Sequence, residues 1–223
     1  MTRTRAVLLD ALGTLVELQP PAPRLARLLR ESGFEVSEEQ AAEGFMAEIA
    51  YYLDHHLEGS DPERLERLRD RCAEEMRRAL ALPGLDHATA RRAMLGALEF
   101  RPYPDVLPAL GELRERGLTL VIASNWDCSL PDWLTPTGIM ELVDGVVTSA
   151  EVGAAKPEGR LFQRALTVAG TDPGEALHVG DKVDKDVAGA GAAGIRAVLV
   201  QRVGEPPDGV TAIRSLGELP ALL

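Results

Sequence analysis

Residues 6–15 read AVLLDALGTL, an apolar run that meets the carboxyl group of Asp10 and continues into a Gly-Thr pair. The run does not alternate with polar residues, which is typical of a strand buried on both faces of a parallel sheet. A carboxylate that directly follows such a strand lies at its carboxyl end, where open α/β sheets bind their ligands. The stretch therefore predicts a parallel sheet with Asp10 at its ligand-binding edge.

Similar apolar runs recur along the chain, and helical patterns separate them. The runs span residues 118–125, 144–149, 176–181 and 195–200, and the clearest helical patterns span 103–117 and 157–170. Alternation of strands and helices favours right-handed crossovers on one sheet. We therefore expect an α/β fold, a Rossmann-like doubly wound parallel sheet, with a last packing helix in the C-terminal SLGELPALL.

An all-helical insertion interrupts this alternation, because residues 20–99 contain no strand-like run. A stripe of apolar side chains follows the helical period within it, at Leu65, Leu68, Cys72, Met76 and Leu80. Two further helical patterns and a proline-rich segment at each end complete the insertion. We place the insertion at residues 17–99 and the core at 1–16 and 100–223.

Composition excludes several classes of partner. The net charge of −11 argues against nucleic acid and anionic membrane surfaces, since broad phosphate binding needs net basic charge. No apolar run approaches the ~20 residues of a membrane span, and the two cysteines indicate reduced thiols. We expect a cytoplasmic protein whose partner is a small metabolite, phosphorylated or halogenated.

The strands that follow Asp10 also end in reactive residue types. Ser124 and Asn125 end one strand, Asp181 ends another, and Asp186 follows shortly after. Three carboxylates at one sheet edge repel one another unless a cation neutralises them. Oxygen ligands of this kind suit Mg²⁺, so the sequence predicts a magnesium site.

The same edge supplies the groups that phosphoryl transfer needs. A carboxylate such as Asp10 can attack phosphorus and form an aspartyl-phosphate. We expect the loop amides around Leu12 and Gly13, the Thr14 hydroxyl and Asn125 to bind the substrate. The Ser124 hydroxyl and the Lys156 ammonium would then offset the developing negative charge.

These residues resemble the motifs of the haloacid dehalogenase (HAD) superfamily of hydrolases. The resemblance covers residues 6–200, and its four motifs are carried by DALGT (10–14), ASNWD (123–127), AKPEGRLF (155–162) and VGDKVDKDVAGAGAAGI (179–195). It implies a helical cap domain that closes over the site, with Asp10 as nucleophile and Ser124 and Lys156 as catalytic partners. It also implies Mg²⁺ bound by Asp10, the backbone carbonyl of Leu12 and Asp181, with Asp186 holding a metal-bound water or Lys156.

The chain departs from that family's phosphatase motif at Leu12, where the resemblance implies a second Asp that protonates the leaving alcohol. A positioned general acid typically contributes a factor of 10²–10⁴. One account keeps a Mg²⁺-dependent phosphatase of small phosphomonoesters. In it, Asp127, His55 or His56 replaces the acid, or the substrate has a good leaving group such as an aryl or acyl phosphate.

Two other accounts of Leu12 stay open. A 2-haloacid dehalogenase expels halide without a proton, and its carboxylate substrate would need a cation such as Arg24, Arg27 or Arg30. Unneutralised aspartates would repel that substrate, which favours the phosphatase. A binding module that lost catalysis is the third account, although retention of the other four motif residues argues against it.

Overall fold

The computed structural model of the protein describes residues 3–223. Its eight strands are short and its longest helices lie in the first half of the chain. The strands are β1 (Ala6–Leu9), β2 (Val16–Leu18), β3 (Phe100–Pro102), β4 (Thr119–Ser124), β5 (Gly145–Thr148), β6 (Ala176–Gly180), β7 (Arg196–Val200) and β8 (Ala212–Ile213). The helices are α1 (Pro21–Glu31), α2 (Glu38–His55), α3 (Pro62–Leu80), α4 (His87–Ala97), α5 (Val106–Glu115), α6 (Leu130–Leu134), α7 (Ser149–Val152), α8 (Gly159–Ala169) and α9 (Ala188–Ala192).

Six of the strands form one parallel sheet in the order β5-β4-β1-β6-β7-β8. The sheet confirms the Rossmann-like fold and all five strand-like runs of the sequence. In the central register Leu9 lies between Ile122 of β4 and Val179 of β6. Strands β1, β4 and β6 therefore end side by side, which brings Asp10, Ser124 and Asp181 to the same edge.

Helices α1–α4 form the helical insertion between β2 and β3, and they pack around an apolar core of their own. The predicted stripe from Leu65 to Leu80 is buried, and its members from Leu68 onward belong to that core. Side-chain caps begin three of the helices: Ser37 for α2, Asp61 for α3 and Asp86 for α4. Each cap satisfies backbone N–H groups that a helix start leaves unpaired.

A short antiparallel ribbon of β2 and β3 joins the insertion to the sheet, and the sequence analysis did not anticipate it. Strands of three residues carry too little pattern to be recognised. The expected C-terminal packing helix is present as a 3₁₀ helix, Leu216–Ala221, with Leu216 and Leu219 buried and Pro220 inside it. Proline has no N–H to donate, so a regular α-helix is unfavourable there.

Within residues 3–223, no helix combines the length and the apolar character that crossing a lipid bilayer requires.

Candidate active site

Asp10 lies at the centre of the site, held by donors from two other loops. The Ser124 hydroxyl donates to its Oδ1 at 2.9 Å, and the Lys156 ammonium donates to the same oxygen at 2.6 Å. The side chain is 9% exposed. Among residues 3–223, no donor reaches Oδ2 within hydrogen-bonding distance, so this oxygen has no hydrogen-bond partner there.

Lys156 is buried and joins two carboxylates, since its Nζ also lies 2.6 Å from Oδ1 of Asp186. Burial lowers the pKa of this lysine, but Asp10 and Asp186 outweigh burial and hold it above its ordinary value. Burial raises the pKa of Asp10, and the Lys156 ammonium opposes that rise. The lysine therefore stays protonated, and its charge limits the rise in the pKa of Asp10, which burial still holds above its ordinary value.

Asp186 is fixed by three donors in the interior. Besides Lys156, the ring of His178 lies 2.9 Å from its Oδ1 and the amide of Lys182 donates to Oδ2 at 3.0 Å. Burial raises the pKa of Asp186, yet the His178 hydrogen bond and the Lys156 charge hold it well below its usual range. Sequence reasoning missed His178, although it is a polar side chain at an interior position of β6.

The three predicted metal-binding carboxylates come together. One oxygen each from Asp10, Asp181 and Asp186 lies within 4.8 Å of the others. Gly13, at φ +87°, makes room for this arrangement, because a Cβ there would lie 2.4 Å from Oδ2 of Asp181. Lys182 Nζ contacts Asp181 at 2.7 Å, so two lysines partly neutralise the cluster.

Gly13 and Asn125, two of the predicted substrate-binding residues, have other contacts, whereas the buried Thr14 hydroxyl has no hydrogen-bond partner among residues 3–223. The Gly13 amide donates to the Val16 carbonyl at 2.8 Å, so, contrary to expectation, it is not free for phosphate. Asn125 binds the backbone of Lys156 at both amide atoms, at 2.6 and 3.1 Å. Thr14 is fully buried, and its carbonyl accepts from Arg202 at 2.8 Å. These residues shape the loops that hold the site.

The three candidate replacements for the missing acid bind elsewhere. Asp127 accepts hydrogen bonds from Tyr52 at 2.9 Å and from the Ser129 hydroxyl at 2.6 Å. His55 and His56 bond backbone carbonyls of their own helix end. Among the hydrogen bonds of residues 3–223, none joins these three side chains to Asp10. Asp127 instead links the sheet's edge to α2.

A cavity of about 170 Å³ separates the helical insertion from the sheet's edge. Thirteen of its twenty wall residues are large and apolar. Its sheet-side and ribbon wall consists of Leu12, Leu18, Phe100, Asn125, Trp126, Asp127, Ser129 and Trp133, and its insertion wall of Phe45, Glu48, Ile49, Tyr52, Leu53, Leu65, Leu68, Arg69, Cys72, Met94, Leu95 and Leu98. Leu12, which is 43% exposed, therefore faces this space, whereas Arg24, Arg27 and Arg30 are not in its wall.

The site thus combines an aspartate held by a serine and a buried lysine with two further carboxylates at the edge of a parallel sheet, an arrangement that fits an α/β hydrolase. The family model for haloacid dehalogenase-like hydrolases matches residues 4–194. Since that match covers most of the chain, the protein belongs to this family and is a hydrolase.

The similar proteins and solved structures include both phosphatases and a haloacid dehalogenase. A phosphoserine phosphatase of Thermus thermophilus is 43% identical over 110 residues, which are 48% of this chain and 43% of the relative. The alignment thus spans less than half the length of that relative. A HAD phosphatase of Thermococcus onnurineus is 28% identical, with a TM-score of 0.69 over 98% of this chain and 97% of that one. The L-2-haloacid dehalogenase RSc1362 is 26% identical, with a TM-score of 0.71 over 99% of both chains.

Proposed function

We propose that the protein is a Mg²⁺-dependent phosphatase that cleaves a small phosphomonoester through an aspartyl-phosphate on Asp10. The observation that supports this proposal most strongly is that Ser124 and Lys156 both donate to Oδ1 of Asp10, while Oδ2 has no donor. The relative named as a phosphatase supports the same chemistry.

The residues at the sheet's edge fit a magnesium ion. Carboxylate oxygens are ligands that Mg²⁺ prefers, and Asp10, Asp181 and Asp186 offer three of them within 4.8 Å of one another. Gly13 has no Cβ and so leaves space for the Asp181 carboxylate to join this cluster. In this proposal Asp10, Asp181 and the Leu12 carbonyl hold the ion, and Asp186 supports it and Lys156. When bound, the ion would withdraw charge from the phosphoryl oxygens.

The chain's own residues would carry out two displacements at phosphorus. Oδ2 of Asp10 attacks the phosphorus, the ester P–O bond breaks, and its electron pair leaves on the alcohol oxygen. Water then attacks the phosphorus of the aspartyl-phosphate, which releases phosphate and regenerates the carboxylate of Asp10. Lys156 and Ser124 stabilise negative charge on the oxygens in both steps.

We propose that the helical insertion, placed at residues 17–99, acts as a cap over this centre. It supplies most of the wall of the 170 Å³ cavity, and the Tyr52–Asp127 hydrogen bond of 2.9 Å ties it to the edge of the sheet. Exclusion of water from the site strengthens the electrostatic interactions inside it.

A 2-haloacid dehalogenase is the second candidate, because Leu12 and the fold shared with RSc1362 favour it. The two lysine contacts at Asp10 and Asp181 weaken the electrostatic objection to a carboxylate substrate. Arg69 is the guanidinium in the cavity wall, but it pairs with Glu66 at 3.1 Å. The Glu48 carboxyl in the same wall forms no ion pair among residues 3–223, and its negative charge when ionised would oppose a substrate carboxylate, which favours the phosphatase.

The test measures phosphate release from acetyl phosphate and halide release from 2-chloropropionate, each with and without Mg²⁺. Acetyl phosphate is small and has a good leaving group, so it requires neither a general acid nor the cavity. We expect Mg²⁺-dependent phosphate release by the wild type that is lost in Asp10→Asn. Asp184→Asn is the matched control, because Asp184 is an exposed carboxylate near Asp186. Halide release without metal, and no phosphate release, would overturn the proposal.

A further inference from the structure

The wall of the cavity nearest to the sheet is built from the loops that carry the reactive groups. Leu12 lies two residues after Asp10, and Asn125 holds the backbone of Lys156 through two hydrogen bonds. Since Leu12 and Asn125 both line the cavity, we infer that a phosphoester on Asp10 would have its reacting phosphorus near this wall. The part of the substrate that leaves is the part that can extend into this space.

The chemistry of the wall selects an apolar group. Aromatic and aliphatic side chains meet here from both sides, among them Phe45, Met94, Phe100 and both tryptophans of the chain. Transfer of a ring of phenylalanine size from water into such surroundings is favourable. A polyhydroxylated leaving group would instead lose its hydrogen bonds to water without replacement.

The volume of the cavity matches one aromatic ring. An engineered cavity of about 150 Å³, lined by Leu, Ile and Phe, binds benzene in another protein. The cavity described here measures about 170 Å³, so it has room for a ring with a small substituent.

A separate observation, the identity of residue 12, points to the same class. Leu12 has no proton to give, so the leaving oxygen departs as an anion. A phenol has a pKa of about 10, whereas water, and alcohols like it, lie near 15.7. A phenolate is therefore a far better leaving group here than an alkoxide.

We propose that the substrates are aryl phosphates, whose phenolic ring is uncharged and occupies the cavity between the insertion and the sheet. This inference rests on the proposed phosphatase function. In the first displacement the P–O(aryl) bond breaks, the electron pair leaves on the phenolate oxygen, and this oxygen takes a proton from water.

Acidic groups in the wall restrict the ring further. The buried carboxyl of Glu48 contacts the Cys72 thiol and, among residues 3–223, forms no ion pair. Asp127 adds a second carboxylate, and the guanidinium of Arg69 pairs with Glu66. A ring that bears its own carboxylate is therefore disfavoured, although such a substituent makes the phenol a better leaving group.

Two inert inhibitors test the class without turnover of the probe. Phenylphosphonate and methylphosphonate share the phosphonate group, and they differ in the ring that the cavity would bury. We expect phenylphosphonate to inhibit acetyl phosphate hydrolysis at roughly 10- to 100-fold lower concentration. It should also change the fluorescence of Trp126 and Trp133, which both line the cavity.

A pair of variants tests whether the ring binds in the cavity. Leu95→Trp narrows the wall, whereas Leu28→Trp adds the same bulk to the same helical core outside the wall. We expect Leu95→Trp to lower kcat/KM for phenyl phosphate about tenfold, with acetyl phosphate hydrolysis within twofold of wild type. Leu28→Trp should change neither. Acetyl phosphate hydrolysis shows whether each variant is folded and active. The kcat/KM of each variant for phenyl phosphate is therefore compared with its rate on acetyl phosphate.

The outcomes separate the two proposals. If acetyl phosphate is not hydrolysed by the wild type, the phosphatase function fails. If acetyl phosphate is hydrolysed but both phosphonates inhibit equally, the aryl class alone is overturned. Inhibition by 4-carboxyphenylphosphonate at a lower concentration than by phenylphosphonate would also overturn it, because no leaving group departs from either and the walls would then not discriminate against charge.

Discussion

Replacement of Glu48 by glutamine should stabilise the protein, and increasingly so as the pH rises. Glu48 is 6% exposed, and burial raises the pKa of its carboxyl from an ordinary 4.5 to about 7, with the Cys72 thiol giving partial relief. At 1.36 kcal/mol for each pKa unit, this displacement corresponds to roughly 3 kcal/mol of unfolding free energy.

The sign follows from the two protonation equilibria. Below about pH 4.5 the carboxyl is neutral in both the folded and the unfolded chain, so it imposes no penalty. Between about pH 4.5 and 7 only the unfolded chain loses the proton, and the free energy of unfolding falls. Above about pH 7 the penalty is complete. Glutamine cannot ionise, so the variant has no such loss of unfolding free energy at high pH.

The assay is urea and thermal unfolding of wild type, Glu48→Gln and the control Glu43→Gln between pH 4.5 and 8. Glu43 lies on the same helix but is exposed. We expect Glu48→Gln to match wild type at pH 4.5 and to exceed it by roughly 3 kcal/mol at pH 8, or roughly 6–12 °C in Tm. A difference that does not vary with pH, or a loss of stability at pH 8, would refute the reasoning.

Three further variants probe the site. Lys156→Met leaves Asp10 and Asp186 buried without their shared cation, so we expect a loss of about 3–5 kcal/mol in urea unfolding and no measurable turnover. Unchanged stability would contradict this. Gly13→Ala should weaken Mg²⁺ binding in calorimetry more than Gly33→Ala does, because both have positive φ but only a Cβ at Gly13 meets Asp181; equal affinities would count against the metal site. Leu12→Asp should accelerate hydrolysis of alkyl phosphates more than that of phenyl phosphate, and a uniform effect would argue that no proton donor is missing.

Much of the fold can be predicted from local patterns in the sequence. The runs around Asp10, Ser124 and Asp181 are apolar without alternation, and the parallel pairing of their strands then brings the three side chains together. The helical stripe from Leu65 to Leu80 is equally local. Such features depend on neighbouring residues, so a single sequence reveals them.

The remaining features depend on packing between distant segments. The β2–β3 ribbon needs two three-residue strands from opposite ends of the insertion, and neither has a pattern of its own. Asn125 bonds the backbone of Lys156, and His178 contacts Asp186. Both contacts depend on segments that come together only in the folded chain. The cavity likewise exists only between the insertion and the sheet.

The central claim is that Asp10 bonds covalently to phosphorus, and acid quenching during turnover tests it most directly. Acetyl phosphate and Mg²⁺ are mixed with the enzyme, the reaction is stopped in acid within a turnover, and peptides are analysed by mass spectrometry. The account predicts one phosphoryl group on the peptide that contains Asp10, absent in Asp10→Asn and labile to base. Steady phosphate release with no phosphoryl group on that peptide, or with the group on another residue, would contradict it.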